Sequence, residues 1–208
     1  MVALATQADV EARLGRALTD DEAARIDALL DDASELVRSW TRQDFTAVAG
    51  DEIVLRPVGV TIRLPQRPVT AVSAVHALNR EGAPEIALSG WVWDGRDKVS
   101  IACATPSGDD TPSWWWADGP DTYQVTYSHG YATIPPLVVA TVCAMVMRTL
   151  LAPSMAAGMV SERIGQYTYQ LQQGTGSSGA TVVLTREDEK ALARWGPRRA
   201  GTIQVEAG

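Results

Sequence analysis

The first forty residues carry hydrophobic positions at helical spacing. Thr6 and Gly15 have the residue types that cap the start and the end of a first helix. Thr19 and Glu22 have the spacing of a capping box, which predicts a second helix ending near Trp40. Its apolar positions recur at steps of three and four, as expected for an amphipathic helix: Ile26, Leu29, Leu30, Ala33, Leu36, Val37 and Trp40.

From about residue 51 to residue 131 the pattern changes to short runs rich in β-branched residues. Prolines and an Asp94-Gly95 pair separate these runs, as is typical of turns between strands. Asn79-Arg80-Glu81-Gly82 has the composition of a hairpin loop. Strands are therefore predicted within six runs: 53–55, 60–64, 69–77, 91–93, 98–102 and 122–127.

Helical periodicity returns after this section. Prolines 135 and 136 suit the first turn of a helix that runs to about Ala152 and is apolar nearly all round. One face must meet the core, and another must meet the first helices or a neighbouring subunit. Alternation over 167–171 predicts a strand, 174–179 reads as a Gly/Ser loop, and a capping pattern predicts a last helix over 185–195.

Composition narrows the class of protein. The 208 residues are 46% hydrophobic and 21% charged, which excludes disorder throughout the chain. A net charge of -7 opposes general coating of nucleic acid, because such binding needs a basic surface. Two cysteines, Cys103 and Cys143, favour a reducing compartment. The apolar stretch 137–147 is too short to cross a bilayer, and the N-terminus lacks a signal-peptide pattern, so no membrane contact or export is expected.

Motifs for catalysis are weak or missing. Gly174-Thr175-Gly176-Ser177-Ser178-Gly179 has the spelling of a dinucleotide fingerprint, but a strand-forming run follows it instead of a helix. The two histidines, His76 and His129, occur without the partners that a triad or a metal site needs. We therefore expect no catalytic residues, no cofactor, no metal and no enzymatic activity.

Tryptophan supplies the candidate contact residues. Trp114, Trp115 and Trp116 lie in a segment rich in Gly, Pro, Asp and Ser, so either they cover a core edge or some of them anchor a partner. Trp195, followed by Arg198 and Arg199, either closes the last helix or docks an acidic partner.

The order of these signals resembles the head-tail connector (adaptor) family of tailed double-stranded DNA bacteriophages. The resemblance covers most of the chain, and its specificity lies in the order of short segments. Residues 106–121 do not fit the pattern. Four stretches carry the likeness: Asp9-Val10-Glu11-Ala12-Arg13-Leu14-Gly15 with Leu18 to Glu22, Leu64-Pro65 with Pro68-Val69, Val125-Thr126-Tyr127 with His129 to Tyr131 and Ile134-Pro135, and Ser161-Glu162 with Ile164-Gly165, Tyr167, Tyr169 and Leu184-Thr185.

The resemblance implies an α+β fold. In it, an N-terminal helical pair, a long apolar helix and a C-terminal helix form a helical connector core, with a β-rich section inserted between helices. The chain is then a single connector domain, 1–208. Its expected segments are N-terminal helices 1–50, a β-rich insertion 51–131, a central apolar helix 132–153, a strand and flexible loop 154–184, and a C-terminal helix and tail 185–208.

The resemblance also implies a structural virion protein, made in the bacterial host cytoplasm and placed at the head-tail junction. Such a protein forms a ring of twelve subunits under the portal protein, extends the DNA channel without sequence-specific DNA binding, and is a platform for a stopper or tail protein. Trp195, Arg198 and Arg199 then dock the portal. Five residues face a neighbouring subunit or the channel: Tyr167, Tyr169, Gly174, Gly176 and Gly179.

Two alternatives follow from the same residues. A tail-completion factor or another virion interaction protein would share the ring habit and bind the tail instead of the portal. An enzyme or small-molecule binder would need a deep pocket with convergent polar groups.

Overall fold

Capping boxes start three helices, as their sequence pattern predicts. The hydroxyls of Thr6, Thr19 and Thr185 each accept a hydrogen bond from the backbone N–H three residues on. In each case the acidic side chain at that position accepts one from the threonine N–H in return. Gly15, at a φ of +71°, ends the first helix. These local signals satisfy backbone groups that a helix end leaves without partners.

The computed structural model describes residues 2–78, 86–107, 120–152, 161–164, 167–170 and 181–196. The chain divides into a helical unit, residues 1–42 and 135–208, and a sheet unit, residues 43–134. In chain order the described elements are α1 (Gln7–Leu14), α2 (Asp20–Thr41), β1 (Val48–Leu55), β2 (Thr61–Arg63), β3 (Val69–Leu78), β4 (Ile86–Ser89), β5 (Val92–Trp93), β6 (Lys98–Ser100), β7 (Thr105–Pro106), β8 (Thr122–His129), α3 (Pro136–Leu151), β9 (Ser161–Ile164), β10 (Tyr167–Gln170) and α4 (Arg186–Leu192).

Helix α3 buries eight of its 16 residues, and it contacts α1, α2 and α4 of the same chain. The sequence left two alternatives for the second apolar face of α3, the first helices or a neighbouring subunit. The structure shows that α3 contacts the first helices. Contact with a neighbouring subunit stays a prediction. The buried side chains of this unit include Val10, Ile26, Leu30, Ala33, Val37, Val138, Val142, Met145, Val146, Leu192 and Trp195.

Two antiparallel sheets form the sheet unit. The larger has the order β1-β8-β3-β4-β7 and the smaller has the order β2-β6-β5. Alternation along β8 buries Tyr123, Val125 and Tyr127, and these residues pair in register with β3 on one side and β1 on the other. Both sheets contribute to one core, whose buried residues are Ile62, Leu64, Val69, Val75, Ala77, Leu88, Val99, Tyr123, Val125 and Tyr127.

The predicted fold class is wrong. The expected arrangement was a helical core around a long apolar helix with a β-rich insertion. The described residues instead hold helices of 8, 22, 16 and 7 residues and a sizeable antiparallel sheet of five plus three strands. The physical reason is that the strands bury their own hydrophobic faces against one another, so the β section has a separate core.

Smaller differences between prediction and structure concern additional strands and the end of the last helix. The strands β4, β7 and β9 were not predicted, and α4 ends at Leu192 instead of reaching Trp195. The predicted loops at 79–82 and 174–179 lie outside the described residues. The described part of the chain contains no helix that is both long and apolar enough to cross a membrane.

Candidate functional site

Trp195 lies in the interior of the helical unit, where it is only 6% exposed. Its backbone N–H donates to the carbonyl of Leu192 at 2.9 Å, and the guanidinium of Arg194 lies 4.3 Å from its ring centroid. Gly196 lies directly against the ring of Trp40, where a Cβ atom would come within 3.3 Å of a ring carbon. Trp195 therefore stabilises the C-terminal helix, and its indole is covered by the chain itself.

The other predicted docking residues, Arg198 and Arg199, lie outside the described residues, as do Gly174, Gly176, Gly179, Trp114, Trp115 and Trp116. Tyr167 and Tyr169 belong to β10, which pairs with β9 so that Tyr167 is opposite Ile164 and Tyr169 is opposite Glu162. The roles of all these residues in docking, in a subunit interface or in a channel stay predictions.

A polar cluster, defined here as Asp51, Tyr127 and His129, lies where β1 meets β8; Tyr127 and His129 are buried, and the Asp51 side chain is 38% exposed. The Nε2 atom of His129 is 3.2 Å from a carboxylate oxygen of Asp51, and the rings of Tyr127 and His129 have centroids 5.0 Å apart. The register between β1 and β8 is interrupted between Val48 and Asp51, at a bulge where Gly50 has a φ of +65°. The cluster therefore holds the bulged edge strand against β8.

Nδ1 of His129 is buried without a hydrogen-bond partner. The buried hydroxyl of Tyr127 interacts with the Asp51 carboxylate and the Gln66 backbone but makes no hydrogen bond of ordinary geometry. Burial, and then the negative charge of Asp51, raise the pKa of Tyr127 to about 12. The phenol is therefore protonated at neutral pH, and it is a poor base or nucleophile. We assign the cluster a structural role.

The sequence analysis treated His129 as a histidine without partners and missed this cluster. A signal was present, because strict alternation through Tyr123, Val125 and Tyr127 places position 129 on the same buried face. What the sequence did not reveal is that Asp51, 78 positions away, faces it.

A cleft of about 430 Å³ in the helical unit is lined by small or acidic residues and by the cap of α1: Ala3, Ala5, Thr6, Gln7, Asp27, Leu30 and Asp31. No group of three or more His, Cys, Asp or Glu residues within the described parts of the chain could hold a metal ion. Burial raises the pKa of the Cys143 thiol, which disfavours its reactive thiolate form, while Cys103 is exposed. The described side chains thus assemble no recognisable catalytic constellation.

Comparisons with known proteins give one kind of match. No protein-family model matches the chain, and no curated protein matches it. Among solved structures, the fold is similar to a chain in the structure described as "Neck of empty GTA particle computed with C6 symmetry", where GTA denotes a gene transfer agent. The two chains are 18% identical with a TM-score of 0.53, and the match covers 94% of this chain and 90% of the other.

Proposed function

We propose that this chain is a structural protein of the neck of a phage-like particle. The observation that carries the proposal is the similarity to a neck protein over nearly the full length of both chains. The order of sequence segments points to the same class independently, because it resembles head-tail connectors. A structural role also agrees with the cluster of Asp51, Tyr127 and His129, in which Tyr127 keeps its proton at neutral pH and His129 contacts the Asp51 carboxylate.

The finer proposal is an adaptor ring under the portal protein. The C6 symmetry used for the similar particle supports a ring whose subunit number is a multiple of six, and twelve satisfies this condition. In that position the ring extends the DNA channel and presents a platform to a stopper or tail protein. DNA passes through without sequence-specific contacts, in line with a net charge of -7.

Docking to the portal is assigned to the residues after Gly196, with Arg198 and Arg199 as the contact residues. Trp195 is buried in the helical unit and so anchors the chain at the point where this tail begins. Tyr167, Tyr169 and the Gly174, Gly176 and Gly179 loop face a neighbouring subunit or the channel. Trp114, Trp115 and Trp116 anchor a partner protein.

Electron microscopy of purified particles tests the proposed location. A small folded tag is fused to the N-terminus of the full chain, and a tag on the tail tube of the same particle is the positional control. We expect added density around the axis between head and tail. Density elsewhere, or particles that lack the tagged chain altogether, would overturn the proposal.

A further inference from the structure

The outer face of the three-stranded sheet has an unusual composition for a chain that is acidic overall. Register places Thr61, Ser100 and Val92 in one row across β2, β6 and β5, and Arg63 opposite Lys98 in the next row. Val58 extends the first row, because it bridges to Thr61. We call these six residues the basic face; the opposite side of the sheet carries Ile62 and Val99, which are buried.

Arg63 and Lys98 are like charges directly opposite each other on neighbouring strands, an arrangement that destabilises a sheet. Both side chains are exposed, and neither has an ion pair with any residue in the described ranges. The Asp94 carboxylate accepts hydrogen bonds from the backbone N–H groups of Arg96 and Lys98, and it also interacts with the charges of both side chains. Lys98 and Arg96 thus share the single negative charge of Asp94, and Arg63 adds a further positive charge, so the basic face keeps a net positive charge.

Two exposed valines lie in the row next to Arg63 and Lys98. Val58 is 84% exposed and Val92 is 64% exposed, and they lie at the two ends of the same row. Apolar side chains beside unpaired charges are typical of a surface that binds another protein, because binding removes both from water.

Helix α2 presents the opposite charge pattern. Asp27, Asp31 and Glu35 are exposed at successive steps of four residues, so their carboxylates repel one another along one helix face. Ala24 and Ala28 lie on the same face, and we call these five residues the acidic face. In the part of the chain that the structure describes, none of the three carboxylates has an ion pair.

We infer that the basic face of one copy of this chain binds the acidic face of α2 on a second copy. Each face holds like charges that form no ion pair with a described residue of their own chain, and the two faces have opposite signs. The small side chains of Ala24 and Ala28 let Val58 and Val92 approach the helix. The contact joins different surfaces of identical chains, which is the head-to-tail geometry that closes into rings. This inference rests on the proposed ring and names the contact that builds it.

Matched charge reversals test the contact in the full-length chain. Arg63→Glu with Lys98→Glu reverses the basic face, and Asp31→Lys with Glu35→Lys reverses the acidic face. We expect each variant alone to lose at least about tenfold in self-association at low salt, measured by sedimentation velocity. An equimolar mixture should recover association, because every reversed face then finds a complementary one. Arg186→Glu with Lys190→Glu, a reversal of two exposed charges on α4, is the control and should associate like wild type.

Disulfide trapping locates the same contact. One chain carries Lys98→Cys and another carries Asp31→Cys, both in a Cys103→Ser background, and we expect a cross-linked dimer on oxidation. No cross-link, or a mixture of reversed variants that associates no better than either alone, would overturn the inference. So would a basic-face variant that keeps self-association and loses only binding to a labelled DNA duplex, because that result assigns the face to phosphates.

Different results would contradict the proposed neck function and the proposed contact between copies. If the charge-reversed mixture stays dissociated while tagged chains are found at the neck, the neck function stands and the contact is wrong. If the mixture recovers and the tag is absent from the neck, the contact stands and the neck function is wrong.

Discussion

Arg148 on α3 forms a two-pronged ion pair with Asp188 on α4, with nitrogen-to-oxygen distances of 2.5 and 3.3 Å. The same carboxylate accepts hydrogen bonds from the N–H and the hydroxyl of Thr185 at the start of α4. Burial of Asp188 opposes its ionisation, but the bonds from Arg148 and Thr185 outweigh burial, so the pKa of Asp188 lies below its ordinary value of 3.8. One side chain thus caps a helix and joins it to its neighbour.

Asp188→Ala is expected to lower the free energy of unfolding by about 1–3 kcal/mol, because it leaves Arg148 and the helix cap without their shared acceptor. Chemical denaturation measures this change. The contribution is complete above the ordinary carboxyl pKa and is lost as pH falls through the lowered pKa of the folded state. Lys190→Ala, which breaks an exposed pair with Glu187, is the control and should cost less than about 0.5 kcal/mol. Equal losses in the two variants would contradict the assigned role of Asp188.

Gly130→Ala is expected to destabilise the sheet unit by about 3 kcal/mol or more, or to prevent folding. The φ of Gly130 is +93°, and a Cβ atom would lie 1.9 Å from the carbonyl oxygen of Thr46. Gly95 also has a positive φ, +74°, but nothing lies within 4 Å of its Cβ position. Gly95→Ala should therefore cost only about 1–2 kcal/mol. Similar unfolding midpoints for the two variants would show that the close approach at Gly130 is absent.

Tyr127→Phe is expected to change stability at neutral pH by no more than about 1 kcal/mol, because the lost hydroxyl is buried and makes no hydrogen bond of ordinary geometry with its neighbours, the Asp51 carboxylate and the Gln66 backbone. The raised pKa also sets an alkaline dependence. Since the folded state holds the proton to about pH 12 and the ordinary pKa is 10.0, stability from this group is complete below pH 10 and is lost between these values. Denaturation as a function of pH should show a smaller alkaline loss for Tyr127→Phe than for wild type. A marked loss of stability at pH 7 would mean that the hydroxyl is bonded.

Changes at Trp195 are expected to affect stability, whereas loss of the tail beyond Gly196 is expected to affect binding to the portal protein. Trp195→Ala removes a buried indole and should lower the free energy of unfolding by about 3–5 kcal/mol. Deletion of residues 197–208 leaves the indole in place, so it should preserve cooperative unfolding and abolish capture by the immobilised portal protein. Portal capture that survives this deletion would refute the assignment of docking to Arg198 and Arg199.

Local signals made the helix starts predictable. The Thr19 and Glu22 pair lies within one helical turn, so the sequence contains both partners of the capping box and the structure confirms it. Pro136 at the first turn of α3 and Gly15 at the end of α1 are local in the same sense.

Long-range pairing explains what the sequence could not reveal. Asp51 and His129 meet because β1 pairs directly with β8, although β2 to β7 separate these two strands in the sequence. No periodicity in the sequence encodes that partner. The basic face could not be predicted for the same reason, because Arg63 and Lys98 become neighbours only through the register of β2 and β6. The separate core of the sheet unit depends on such pairings, and for that reason the predicted helical core was wrong.

The central claim is that this chain is a neck component, and inactivating its gene in the source phage or prophage tests that claim most directly. Electron microscopy of the resulting lysates should show heads and tails accumulating separately, with heads that package DNA and fail to join tails. Supplying the intact chain from a plasmid should restore joined particles. Complete, infectious particles formed without the chain would contradict the claim.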